Sequence, residues 1–487
     1  MKTTLRAAFP FLAVALLAAA PVSAQFNKYV ANGDSITAGV QGNCLVERHQ
    51  LRTFARIVAT QLGIGDFQQP LVGETGVTGS AGVCLGTVVV GTSISVGPVS
   101  QQGAPKNATL LRPYDNLGIP SARANHLVDL KVSNPTAGGV NASAALVLRN
   151  FPGGRFEGMS AVDETNLLTP DLVTLWIGSN DVLGAALSGV ALEPVTLTPI
   201  AAFTAKYNEV MTGLRATGRT LVVLNVPDVA AIPFTTTVPP VVVNPATRQP
   251  VLVGGQPVPL LGSRTSATCP TAPCPIPADT LVTIQAIPLL TAGIGIPTAL
   301  GGTGLPLPDG SFTSPTLNAG VLLYADEVAA IRTRTNEINA AIASAANSAG
   351  AILLDIHAFF EDIKAHGYEV PGLGLTLTPA FLSGGIFSAD GFHPNNIAHA
   401  IIADEIIQAL NEARDLSIER PNLADAFFTA DLPVLTPLTL GQPPTPADTW
   451  RGLLRIFPPV EEGIEVLLPS LESRPAPVLV RRKRGRG

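Results

Sequence analysis

The sequence predicts an α/β fold with a central parallel sheet and inserted loops, and three observations carry that expectation. Short runs of strand length, at 26–31, 171–177, 220–226 and 351–356, alternate with stretches whose apolar residues recur at helical spacing. The run Asp171-Leu-Val-Thr-Leu-Trp-Ile177 lacks the regular polar alternation of a half-exposed strand, as strands buried on both faces do. Two of the runs end in small polar residues, Gly33-Asp34-Ser35 and Gly178-Ser179-Asn180-Asp181, and in open α/β sheets ligand chemistry collects at the carboxyl ends of strands. At 487 residues the chain has room for two or three domains. The continuous alternation of strand and helix favours one domain interrupted by insertions.

Taken in order, residues 1–24 carry Lys2 and Arg6, an apolar segment at 7–20, and Val22-Ser23-Ala24 ahead of Gln25. This is the pattern of a secretory signal with an A-x-A-like cleavage site, and its apolar part is shorter than the ~18 residues of a spanning helix. The mature protein is expected to begin at Gln25, to be secreted and soluble, and to have no transmembrane segment, since Pro, Gly or charge interrupts every later apolar run. The strand at 26–31 then delivers Ser35 to a turn between strand and helix. Apolar positions 51, 54, 55, 58 and 62 predict an amphipathic helix over 49–62. Residues 73–109, rich in Gly, Val, Ser and Thr, read as an inserted loop or β-excursion near the serine.

Asn116-Leu-Gly118-Ile-Pro120-Ser121 follows and leads into a helix-like stretch through 130. A glycine in such a turn lets a bare N–H approach a ligand closely. Helices are expected at 199–218, 319–349 and 397–410, with Gly350 ending the second and Asn395 or Asn396 capping the third. Residues 233–317 are too many for a structureless loop in a compact domain. They are expected to hold some β structure over one end of the sheet, either as a lid that shapes substrate choice or as surface decoration. From 432 the chain turns Pro-rich with little periodicity, which reads as a flexible or loosely packed extension.

A serine at a strand end becomes a nucleophile only when a base, an orienting acid and oxyanion donors are supplied elsewhere. Asp390 and His393 fit two of these roles. With two residues between them in one loop ahead of a helix, the carboxylate can accept from one ring nitrogen while the other faces the serine. His49, His126, His357 and His366 lack this setting, and His399 lies within the last helix, where a packing role is expected. The chain also has no Gly-x-Ser-x-Gly element, which argues against the nucleophile elbow of the α/β-hydrolases.

Four blocks in order, Gly33-Asp-Ser35-Ile, Asn116-Leu-Gly118-Ile-Pro, Gly178-Ser-Asn180-Asp and Asp390-Gly-Phe-His393-Pro, resemble those of the SGNH or GDSL-type hydrolases, secreted bacterial members in particular. The resemblance covers roughly 26–412 and implies a three-layer α/β/α domain that hydrolyses carboxylic esters, as an esterase or lipase, through an acyl-enzyme on Ser35. It implies His393 as general base and Asp390 as orienting acid. The oxyanion would be met by the backbone N–H groups of Ser35 and Gly118 and by the Asn180 amide, with no metal or organic cofactor. Ile36 stands where leucine is common, and Ser121 stands where glycine is frequent, in the turn that carries Gly118. The same machinery would serve a carbohydrate O-deacetylase or an acyltransferase. A non-catalytic surface-binding protein is a further alternative, against which the intact set of site residues counts.

The chain holds 30 basic and 36 acidic residues, a formal net charge of −6 that becomes −8 once Lys2 and Arg6 are removed. The cluster Arg481, Arg482, Lys483, Arg484 and Arg486 suits contact with an anionic surface, but nothing else resembles a nucleic-acid footprint. The expected partner is the ester substrate, a lipid or a small acyl ester. Four cysteines in a chain bound for an oxidising compartment predict disulfides, with Cys269 to Cys274 and Cys44 to Cys84 the favoured pairing among three.

Overall fold

The structure is a computed structural model that describes residues 26–73, 85–90, 93–98, 103–428 and 465–467. The expected signal segment, the basic carboxyl end and Cys84 lie outside the described residues. Five strands form the central sheet: β1 (Tyr29–Gly33), β2 (Asn116–Gly118), β3 (Leu172–Trp176), β4 (Thr220–Leu224) and β5 (Ile352–Leu354). Their spatial order is β5-β4-β3-β1-β2 and every pairing is parallel. The chain runs from β1 outward to β2 and then crosses back to β3 on the other side. That reversal is a topological switch point, where doubly wound sheets open a crevice for ligands. Gly33 pairs with both Gly118 and Trp176, so the ends of β2, β1 and β3 are level there.

The main helices are α1 (Ser35–Ala38), α2 (Phe54–Gln61), α3 (Ala161–Leu168), α4 (Asn180–Ser188), α5 (Ile200–Leu214), α6 (Ala325–Ala349), α7 (Ile356–His366) and α8 (Asn396–Arg414). Successive strand side chains point to opposite faces, so the buried strands β1, β3 and β4 feed two cores. Val30, Val173, Leu175, Leu221 and Val223 pack with residues of α3, α5 and α6. Tyr29, Ala31, Leu172, Trp176, Val222 and Leu224 pack with residues of α2 and α8 on the other face. The result is the three-layer α/β/α arrangement that the sequence predicts.

Local chemistry moves several helix boundaries. The expected helix over 49–62 is two pieces, Glu47–Gln50 and α2, because the Thr53 hydroxyl accepts the Arg56 N–H at 3.1 Å and starts a new helix. Helix α6 begins only at Ala325, since Leu322–Leu323 before it pairs with Leu281–Val282. It stops at Gly350, whose φ is 66°. Asn395 caps α8 by accepting the Ala398 N–H at 3.1 Å. The helix-like stretch up to 130 is confined to His126–Asp129.

The first insertion contains an antiparallel hairpin, Leu85–Val90 with Ser93–Pro98. The second forms short helices and hairpins around a small core of its own that includes Val242, Leu260, Ile276, Val282 and Leu307. Within it Cys269 and Cys274 are bridged; Cys44 is also disulfide-bonded. Part of the extension expected to be flexible or loosely packed is an edge strand, because Glu465–Leu467 pairs in parallel with Thr316–Asn318 of the second insertion. No described helix is long and apolar enough to cross a membrane.

Candidate active site

Ser35 is placed by its neighbours. At Gly33 a Cβ would lie 2.2 Å from Thr37 Oγ1 and 2.5 Å from the Trp176 carbonyl oxygen, so only glycine lets the chain turn this tightly from β1 into α1. Asp34 caps α1 by accepting the Ile36 N–H at 3.0 Å. Ser35 is the first residue of α1, and its N–H is one that a helix leaves without an internal acceptor.

His393 brings the base to this point. Its Nε2 lies 2.8 Å from Ser35 Oγ, and its Nδ1 lies 2.8 Å from Asp390 Oδ2. An ionised carboxylate only accepts, so Nδ1 carries the proton and Nε2 is left to accept from the Ser35 hydroxyl. Asp390 Oδ1 accepts from the Ser388 hydroxyl at 3.0 Å and from the N–H groups of Phe392 and His393 at 3.1 and 2.9 Å. Its Oδ2 also accepts the Asn43 N–H at 2.8 Å. Burial alone would raise this carboxyl, but the neighbouring His393 and these hydrogen bonds outweigh it and hold Asp390 below the ordinary carboxylate value. Ser35, Asp390 and His393 are all at least 96 % buried, so the row is shielded from bulk water.

Two supports of this loop escape sequence reasoning. The segment after α1 lies across it: Gln41 Nε2 donates to Asn396 Oδ1 at 2.7 Å, and the Gly42 N–H donates to Ser388 Oγ at 3.0 Å. With Asn43 these contacts link positions nearly 350 residues apart, and no local pattern announces them. Ser388, two residues before Asp390, had a short-range signal, because serine and aspartate at that spacing favour local turn bonding. The second support is the root of the long insertion. The Phe234 N–H donates to the Gly391 carbonyl at 2.9 Å, and its ring meets Phe392 edge-on with centroids 6.0 Å apart.

On the other side of Ser35, Asn180 opens α4 beyond the end of β3. Its Nδ2 gives one hydrogen to the Ala122 carbonyl at 2.8 Å, which leaves the second available. Asp181 accepts from the Ala124 N–H at 3.2 Å and from the Thr198 hydroxyl at 2.8 Å. The turn after β2 is therefore tied to the start of α4 at two points. Burial pushes Asp181 up to about 6, and burial pushes Asp34 up to about 7 with the negative charge of Asp181 adding to it.

The expected donor Gly118 has a different task. Its N–H donates to Asn116 Oδ1 at 2.9 Å, and Asn116 Nδ2 in turn donates to the Thr37 carbonyl at 2.8 Å. A Cβ on Gly118 would sit 2.3 Å from the Ala38 nitrogen, so this glycine lets β2 approach α1 closely. The structure brings Ser35, His393 and Asp390 into one hydrogen-bonded row, with Asn180 on the adjoining strand end, while the Gly118 N–H is occupied internally. His399 has the packing role expected of it: it is fully buried, stacked on Phe54, and its Nδ1 accepts the Phe54 N–H at 3.4 Å. A slot of about 90 Å³ has lining side chains that are all apolar, among them Ile36, Trp176, Ile232, Phe392 and Ile402.

Among solved structures, the chain is similar to an α/β hydrolase from the metagenome of Lake Arreo, Spain, at 12 % identity, over 79 % of this chain and 94 % of that one, with a TM-score of 0.31. It is also similar to an extracellular lipase from Streptomyces rimosus, at 13 % identity, over 80 % of this chain and 99 % of that one, with a TM-score of 0.29. None of the curated proteins matches. The sequence model of the GDSL-like lipase/acylhydrolase family matches residues 29–406. That span runs from β1 into α8 and contains Ser35, Asn180, Asp390 and His393. The chain belongs to the GDSL-like lipase/acylhydrolase family.

Proposed function

We propose that this ester hydrolase is a secreted serine esterase or lipase that works through an acyl-enzyme on Ser35. The observation that carries the reading is the row Ser35 Oγ, His393 Nε2, His393 Nδ1, Asp390 Oδ2, with both contacts at 2.8 Å. Ser35 attacks the ester carbonyl carbon while its proton passes to His393 Nε2. Asp390 keeps the other ring nitrogen protonated and stabilises the imidazolium. The tetrahedral oxyanion accepts from the Ser35 N–H, the free hydrogen of Asn180 Nδ2 and a donor of the turn after β2. Collapse breaks the bond to the alcohol, which takes the proton from His393. Water, activated by the same imidazole, then releases the acid.

The apolar slot favours an acyl chain over an acetyl group, because its walls offer a carboxylic acyl tail burial and no polar partner. Ile36 and Phe392, which line it, are chain neighbours of the nucleophile and the base. An acetyl group would leave it empty, so the slot supports an esterase or lipase above a carbohydrate O-deacetylase. The amino-terminal signal pattern supports export. A panel of activated esters of graded acyl length is expected to give kcat/KM values that rise from acetyl to medium acyl chains. A maximum at acetyl contradicts the reading.

A further inference from the structure

We propose that the turn Gln41–Cys44 is a positioning element for catalysis: together with Ser388 it fixes the loop that carries Asp390 and His393 against the segment that carries Ser35. The proposal rests on the reading of Ser35 as the nucleophile of ester hydrolysis and concerns what holds the base within its reach.

The turn is suited to this by its sequence. Gln41 and Cys44 exchange both backbone hydrogen bonds, each at 3.0 Å, and the two residues between them, Gly42 and Asn43, have φ of 57° and 61°. That is the left-handed pair of a two-residue hairpin turn, and glycine and asparagine are the residue types that adopt it at least cost. Closing the turn uses the N–H groups of Gln41 and Cys44. Those of Gly42 and Asn43 donate to the base loop instead.

The Asn43 N–H reaches Asp390 Oδ2 at 2.8 Å, the oxygen that also accepts from His393 Nδ1. The Gly42 N–H reaches Ser388 Oγ at 3.0 Å, and that hydroxyl gives its own hydrogen to Asp390 Oδ1 at 3.0 Å. One oxygen of the carboxylate is thus held directly by the turn and the other through Ser388. Gln41 adds a third contact, from Nε2 to Oδ1 of Asn396 at 2.7 Å, at the first residue of α8.

The base loop holds itself together by other bonds. The Ser388 N–H donates to the His393 carbonyl at 2.8 Å and the Gly391 N–H to the Ser388 carbonyl at 3.0 Å, while Asp390 Oδ1 accepts from the N–H groups of Phe392 and His393. These keep acid and base in register with each other, but none of them reaches Ser35. The turn does, because the Ser35 carbonyl accepts from the N–H groups of Gly39 and Val40 at 3.0 and 2.9 Å, just before the chain enters it. Nucleophile, turn, acid and base therefore close a ring: Ser35 through Asn43 to Asp390, on to His393, and back to Ser35 Oγ. Cys44, at the end of the turn, is disulfide-bonded. Gln41, Asn43, Ser388 and Asn396 are all at least 91 % buried, where water competes little for such bonds. A base loop released from the turn keeps its Asp390–His393 pair and loses the distance from Nε2 to Ser35 Oγ on which proton transfer depends.

The test is made on the full mature chain with a soluble activated ester. Gln41→Ala and Ser388→Ala are each expected to lower kcat by on the order of 10-fold, and the double variant by on the order of 10²-fold, the cost of a misplacement of about 1 Å. KM is expected to change less than twofold throughout. Ser388→Thr, which keeps the hydroxyl, is expected to restore kcat to within about twofold of the unaltered enzyme. Exchanging the Asn43 N–H for an ester oxygen, by incorporating the matching hydroxy acid, leaves every side chain in place and is expected to lower kcat by on the order of 10-fold; it carries the test if the alanine variants do not fold. A kcat within twofold of the unaltered enzyme in the double variant or in the Asn43 exchange overturns the proposal, and so does a loss that appears in KM instead of kcat. Fluorophosphonate labelling of Ser35 in the unaltered enzyme is read alongside. Labelling combined with indifference to these changes overturns the positioning role alone, and absence of labelling overturns the ester-hydrolysis reading itself.

Discussion

Ser35 and His393 are 358 positions apart in the chain and 2.8 Å apart in space. What makes that contact useful is Asp390, which sits beneath the ring with four donors on its two oxygens besides the imidazole. Asp390→Asn keeps the shape but lets the ring adopt the wrong tautomer, so kcat is expected to fall by about 10⁴-fold. Steady-state kinetics with the folded variant checks this, and a loss below tenfold contradicts the orienting role. A second carboxyl affects stability. Glu164 in α3 is fully buried, and neither oxygen has a hydrogen-bond partner among the described residues. Burial pushes it up to about 9, with the positive charge of Arg149 offsetting part of the rise. Between the ordinary glutamate value of 4.5 and about 9 the unfolded chain has lost a proton that the folded chain keeps. Stability from this group is therefore fully present at low pH and declines as pH rises through that window. Glu164→Gln is expected to raise the melting temperature, by a margin that grows from pH 5 to pH 9. A margin independent of pH contradicts the assignment.

At the scale of elements, β2 lies close against α1. Gly118 has no room for a side chain, because a Cβ would meet the Ala38 nitrogen at 2.3 Å, and backbone cannot rotate away as a side chain can. Gly118→Ala is expected to lower stability at the upper end of the ~1–3 kcal/mol that overpacking costs, read as a shift of the denaturant midpoint. An unshifted midpoint would mean that the two elements are not in rigid contact. The sequence presents this glycine clearly, yet its purpose depends on a neighbour 80 residues earlier and is invisible to local reasoning. Ser121 shows the converse: a departure from the frequent glycine is visible in the sequence, whereas its left-handed φ of 68° and its buried hydroxyl are visible only in the fold. Helix positions were legible where capping chemistry was plain, as at Gly350 and Asn395. They were misplaced where apolar spacing ran through a cap, as at Thr53, or through a short strand, as at Leu322.

For the whole molecule, parallel strands with apolar cores and polar carboxyl ends made the architecture readable, since the inner strands β1, β3 and β4 bury both faces. The order β5-β4-β3-β1-β2 places Ser35 and the residues beyond β3 at the switch point, which explains why blocks far apart in sequence share one crevice. The insertions were legible in extent and not in purpose. The long one roots on the base loop through Phe234 and pairs with the strand Glu465–Leu467, contacts that only the folded chain defines. The central claim is that all of this serves one covalent intermediate on Ser35. The most direct test quenches the enzyme in acid during turnover of a slowly deacylating ester and maps the adduct by peptide mass spectrometry. The account predicts an acyl group on Ser35 that appears and decays with turnover and is missing, together with activity, in Ser35→Ala. Hydrolysis retained in Ser35→Ala, or an acyl adduct on a different residue, would contradict it.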